Sequence, residues 1–454
     1  MKKKLFVIIA LLLACACCVA WYFMKDRDDA RQLLPEDATS VLVFEPLELL
    51  DGLGLGASDL DIVPTDVKNL IESVDLTKPI YVFDTRTSGR GVCLCLRDAD
   101  KFMDSGAALG FTSERNGESK WMTGRNSICL TDGRKALLMI TPQPDSDAIR
   151  PAMQKLMTQG KREAPLLRSL GDKGFLRLTT TLDKLPAEFR RTLPAGFDPT
   201  QARLNASWSI GSKNITLSAE LQTPEPLLGD EFLRPVKGNL SDLAPAQPFL
   251  SFCINISGEK LIELIRKQPE LRTALLGLNM MLDADMMLSA IDGDVSIVVP
   301  TPSLGKPDVL ITATLKDTDF LQNANDWDKV RKLSSTDFVA SYEGIDTYFG
   351  VRNGLLYVTT SQELAECACE KSYASMPLLK GKRMSAFINV GQIIKAYPPL
   401  RMALIAMPQL GEALNAIDGV AFSADTPQSL EVSVTTEKPV KDIVKNLKTL
   451  LKGK

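Results

Sequence analysis

Short runs of alternating apolar and polar residues, separated by proline or glycine turns, fill the chain from about residue 34 onward. Alternation with a period of two marks a strand half buried in a sheet, whereas apolar residues three and four apart mark one face of a helix. In LPEDATSVLVFEPLELL (34–50), Val41 and Val43 read as a strand and the following leucines open a helix. Phe249 to Ile256 reads as a strand, and Leu261, Ile262 and Ile265 then fall at helical spacing within 258–266. Gly in TDGRKALLMIT (131–141) and VRNGLLYVTT (351–360) marks a hairpin turn. Asp98 and Asp317 each stand where a strand gives way to a helix, as N-caps do.

The pattern repeats. A turn, a strand and a helix, followed by paired strands, appear at 34–50 and 170–223, and again at 243–267 and 379–437. Leu34 and Leu243 are 209 residues apart, as are Leu170 and Leu379. A duplication accounts for this, with residues 33–228 as a first α+β repeat lobe and 239–454 as a second. The proline-rich stretch 223–245 is the linker between them. No strict series of alternating strands and helices runs through the chain, which excludes a doubly wound parallel sheet. The expected fold is α+β: two similar lobes, each a mainly antiparallel sheet with helices packed on one face, after an N-terminal apolar helix.

That helix is the first 30 residues, a signal anchor or lipoprotein signal. Lys2, Lys3 and Lys4 precede an uncharged run of 20 residues, Leu5 to Met24. At about 1.5 Å per residue this spans about 30 Å, the thickness of a hydrocarbon core. Trp21 and Tyr22 lie at its far end, where such rings favour the interface. The lysines set the start inside and the body outside the cytoplasm. Cys15 and Cys17 each follow an alanine, as a lipidated cysteine would, but seven apolar residues follow Cys17. A retained helix, lipidation and cleavage therefore all stay open, and each exports residues 30–454.

Composition then narrows the chemistry. The chain of 454 residues contains no histidine, which removes His-activated nucleophiles and His-ligated zinc. Net charge is −3, and nucleic acid is not an expected partner. Cys93 and Cys95 share one face of a strand, Cys129 and Cys253 lie in apolar strands, and Cys367 and Cys369 lie in a helical stretch. No C-x-x-C occurs, so buried free thiols are expected, with long-range disulfides as the alternative. GLGLG (52–56) lacks the lysine of a phosphate loop. The carboxylate pairs Asp59/Asp61, Asp283/Asp285, Asp292/Asp294 and Asp326/Asp328 read as solvated turns. No catalytic, metal or cofactor residue emerges. Met280, Met281, Met286 and Met287, with Met402 and Met407, suit an adaptable apolar groove or a filled core.

The N-terminal run, LPEDATSVLVFEPLELL and LKGKRMSAFINVGQIIKAY (379–397) resemble an uncharacterised family of Bacteroidota cell-envelope proteins, known as a domain of unknown function. The resemblance implies an exported lipoprotein-like chain and no activity. The function expected is a non-catalytic binding or scaffold protein at the cell envelope, held through residues 5–24, with an envelope protein or lipid as partner. A carrier or chaperone for lipids or apolar chains and a His-independent hydrolase are the alternatives.

Overall fold

The computed structural model describes residues 30–452 except 57–64, 87–88, 117–118, 145–147, 159–164, 172, 191–196, 225–231, 239, 241–247, 268–271, 274, 277–278, 280–282, 303–307, 324–326, 328–329, 343, 369–380, 398, 400–401, 403 and 405–407. The chain forms two compact units. The first combines residues 1–224 with 438–454, and the second is 225–437.

The first unit carries β1 (Ala38–Phe44), β2 (Ile80–Thr85), β3 (Arg90–Cys95), β4 (Thr112–Asn116), β5 (Ser119–Gly124), β6 (Ser127–Asp132), β7 (Lys135–Ile140), β8 (Leu176–Thr181), β9 (Arg203–Ile210) and β10 (Asn214–Gln222). Antiparallel pairing sets the order β10-β9-β8-β1-β2-β3-β7-β6-β5-β4. Val41, Phe83, Cys93, Leu137, Leu130 and Trp121 build its core with Leu33 and Ile71. Each large apolar side chain fully buried there contributes about 1.5–3 kcal/mol. Helices Thr65–Ser73 and Ala99–Ala108 pack together. Asp98 caps the second of these by accepting from the Lys101 amide at 2.9 Å.

The second unit carries β11 (Leu233–Arg234), β12 (Leu250–Ser257), β13 (Ile291–Val299), β14 (Leu310–Leu315), β15 (Val330–Lys332), β16 (Asp337–Tyr342), β17 (Ile345–Arg352), β18 (Leu355–Thr359), β19 (Met384–Asn389), β20 (Ile417–Ala424) and β21 (Ser429–Thr436). Its order is β21-β20-β19-β12-β13-β14-β18-β17-β16-β15, the same path as in the first unit. The short β11 joins β12 at Asn255 and Ile256, beyond the point where β19 stops. Asn353 (φ 53°) and Gly354 (φ 74°) make the two-residue turn between β17 and β18, which needs positive φ at both positions.

The expected two lobes, each with its own sheet, are corrected by the hydrogen bonding: among the described residues the strands belong to one 21-stranded, mostly antiparallel sheet. Alternation in a sequence identifies a strand and its buried face, but not which strand edges pair. Helices are not confined to one face either. Leu356 and Tyr357 are adjacent on β18 and both buried, at 4% and 1% exposure. Leu356 packs with Ala313 and Phe320 on one face, while Tyr357 packs with Ala365 and Ala368, beside helix Gln362–Glu366, on the other. The expected N-terminal apolar helix, residues 5–24, lies outside the described residues. Among the described residues no helix is long and apolar enough to cross a membrane.

Candidate functional site

The sequence LSFCINIS of β12 alternates, so Ser251, Cys253 and Asn255 share one face and Phe252, Ile254 and Ile256 the other. Register extends the polar face sideways. Cys253 lies opposite Ser296 on β13 and Ser385 on β19. Ser385 lies opposite Ser423, Ser296 opposite Thr312, and Thr312 opposite Tyr357. The result is a row across β20, β19, β12, β13, β14 and β18 in which every member is buried. The Ser296 and Ser385 hydroxyls and the Asn255 carbonyl oxygen have no hydrogen-bond partner among the described residues. Buried polar atoms normally find one, so the row marks an unusual place in the core.

Next to it stands Asp294, 1% exposed and opposite Asn255. Its carboxylate accepts from the Lys237 amide (3.0 Å), the Gly238 amide (2.8 Å) and Asn255 Nδ2 (2.8 Å). Asn255 Nδ2 also donates to the Pro235 carbonyl at 3.0 Å. Gly238 has φ 80°, a conformation glycine adopts without strain. Arg234 Nη2 donates to the Ile256 carbonyl (2.6 Å) and to Asp292 (2.7 Å). The Val236 amide donates to Lys382 O at 2.8 Å, and the Gly381 amide to Val236 O at 3.0 Å. Residues 233–238 thus form a strap bound to the sheet, with Asp294 as its central acceptor.

The row ends at a second clasp. Asp337 accepts from Ser334 Oγ (2.6 Å), Tyr357 Oη (2.7 Å) and Arg352 Nε (3.1 Å). Burial works against its charge, but the two hydroxyls and the guanidinium outweigh this and hold its carboxyl below the usual range. Arg352 also donates to the Ala365 carbonyl at 2.5 Å and lies 4.7 Å from the Tyr357 ring centre. These bonds tie helix Gln362–Glu366 to the β17–β18 hairpin.

The chemistry of the row is that of neutral hydroxyls and a thiol. Burial, reinforced by the Asp294 charge, pushes Cys253 up to about 12. A thiol held there stays protonated at neutral pH and is a poor nucleophile. Cys93, Cys95, Cys129, Cys253 and Cys367 are outside any disulfide; the first four are buried and Cys367 is half-buried. Among the described residues no group of three or more Cys, Asp or Glu converges to hold a metal.

Met286 and Met287 pack against the second unit's core with Ala290, Ile291 and Phe320, whereas Met402 is 67% exposed. Met280, Met281, Met407, Cys15, Cys17, Asp59, Asp61, Asp326 and Asp328 lie outside the described residues. Asp283 accepts from the Met286 amide at 3.1 Å, and Asp285 pairs with Arg266 at 2.6 Å. Asp292 is exposed near the start of β13, opposite Ser257, whereas Asp294, buried on the same strand, departs from the solvated reading. Asp317 accepts from the Asp319 amide at 3.4 Å. Gly54 closes helix Pro46–Leu53 at φ 66°, a helix stop within GLGLG. The sequence pattern did not single out Asn255, Ser296 or Ser385, and it placed Asp294 in a solvated turn. The available signal was the strict alternation of Ser251, Cys253 and Asn255 inside an otherwise apolar strand.

Residues 225–402 match a protein family described as a domain of unknown function (DUF4836). They include β11 to β19, the strap, the Asp294 clasp and the Asp337 clasp. Among curated proteins none matches the chain. Similar solved structures include crystal form III of TP0453, at 10% identity over 44% of this chain and 82% of that one, with a TM-score of 0.32. Crystal form I aligns at 9% identity over 44% and 81%, with a TM-score of 0.30. Likeness at that level fixes neither fold nor function.

Proposed function

We propose that the chain is an exported protein held at the cell envelope through residues 5–24, where it acts by binding or scaffolding rather than by catalysis. One observation carries the location: a 20-residue uncharged run, long enough to cross a bilayer, behind three lysines. The finer reading is a bacterial envelope protein of the Bacteroidota type, with Cys15 or Cys17 as the lipidation site if the run is processed. Support for a non-catalytic role comes from the second unit. Its buried carboxylate Asp294 accepts from the strap and from Asn255, and its buried thiol Cys253 is kept neutral.

The test is fractionation of intact cells with protease shaving, joined to metabolic labelling with a fatty-acid probe. Membrane recovery with the body degraded from outside is expected, and label on the chain would select lipidation over a retained helix. Full-length, unprocessed chain in the soluble cytosol would overturn the location. Crosslinking in intact envelope followed by mass spectrometry then identifies the partner.

A further inference from the structure

We propose that the helix Val440–Lys452 of the first unit docks on an anionic lipid surface. The inference rests on the reading that residues 5–24 span the bilayer. Residues 438–454 hold six lysines and one aspartate in a chain whose overall charge is −3, so positive charge is concentrated in one short segment. Lys441, Lys445 and Lys448 are four and three residues apart and line one flank of the helix. Ile443, Val444 and Leu447 form the adjoining apolar face. Such a helix, apolar on one face and lysine-rich beside it, is suited to lie in the plane of a charged bilayer surface.

Two observations favour that occupant over a purely internal role. Helix Val440–Lys452 packs on helix Pro46–Leu53, and Lys441 Nζ lies 3.3 Å from Asp51. That packing leaves Ile443, Val444 and Leu447 half-buried and Lys445 exposed. A helix dipole disfavours a cation in the first turn, where Lys441 stands. The second observation is reach. The helix shares a compact unit with Ala30, and only residues 25–29 separate Ala30 from the end of the uncharged run. Those residues extend at most roughly 20 Å. The unit that carries the basic helix is therefore tethered close to the membrane face.

The experiment uses the full chain with vesicles of phosphatidylcholine, alone or with phosphatidylglycerol. Flotation reports membrane association, and acylation of Lys445 by a water-soluble ester, read by mass spectrometry, reports helix contact. Flotation with both vesicles is expected, with Lys445 labelling at least threefold slower on the anionic ones. Exposed Lys260 of the second unit should label equally on both. The slowing should vanish in 0.5 M salt and in Lys448→Glu. Equal Lys445 labelling on both vesicles, with the chain afloat, overturns the docking and leaves the helix as a cover for Pro46–Leu53. Failure to float on phosphatidylcholine sinks the spanning reading instead. Lys445 labelling on the anionic vesicles still decides the docking in that case.

Discussion

Asp294→Ala tests the central clasp of the second unit. The substitution removes one acceptor group from three donors, the amides of Lys237 and Gly238 and the side chain of Asn255. Each hydrogen bond to a buried charge is worth about 1.5–3 kcal/mol, and the orphaned donors add their own desolvation cost. Freeing the site of a buried carboxylate returns part of this, so the net loss expected is about 3–5 kcal/mol. Asp294→Asn separates charge from shape. Its amide oxygen can serve Lys237 and Asn255, but the amide nitrogen then faces the Gly238 amide. One orphaned donor costs about 1–3 kcal/mol. Asp292→Ala is the control, because its pair with Arg234 is half-exposed and worth less than about 1 kcal/mol. Urea unfolding reads the energies, and hydrogen exchange at Lys237 and Gly238 reads the strap itself. A loss below about 1 kcal/mol in Asp294→Ala, with those two amides still protected, would refute the account.

Burial raises Cys129 and Cys253 to about 12 from an ordinary 9.0, so above pH 9.0 the unfolded chain loses protons that the native chain keeps. Stability should therefore fall as pH rises from 9.0 toward about 12, and less steeply in the Cys129→Ala, Cys253→Ala double variant; equal slopes of thermal midpoint against pH would contradict this. Gly258→Ala would place a Cβ on the Leu288 carbonyl oxygen, a backbone atom that cannot step aside. A cost of about 3 kcal/mol is expected by urea unfolding, against little change for Gly171→Ala, which meets nothing within 4 Å. Asp98→Ala should cost about 1 kcal/mol by losing the cap at Lys101, and Asp98→Asn should restore most of it in thermal melts.

Local structure was legible where one rule decided it. The alternation over Phe249 to Ile256 finds β12 (Leu250–Ser257) to within one residue at each end, and Leu261, Ile262 and Ile265 place the helix Gly258–Lys267. Asp98 caps because an acceptor is needed at that helix start. What stayed hidden depends on partners distant in sequence. Nothing in LLYVT says that Leu356 and Tyr357 are both covered, because burial of both faces comes from helices elsewhere in the chain. Residues 233–238 lie inside a stretch whose prolines read as a linker. Their hydrogen bonds go to Asp294, Asn255 and Lys382, which no local pattern connects to them. Asp294 itself looks like any carboxylate after a glycine until its register opposite Asn255 is known.

The first unit is assembled from residues on either side of the second. A chain emerging from its amino end therefore exposes helix Pro46–Leu53 well before the segment that covers it has been made. The second unit can mature while the first still waits, so the order of completion reverses the order of synthesis. A chain stopped after residue 437 would keep every strand of both units, yet the damage would surface in the portion translated earliest.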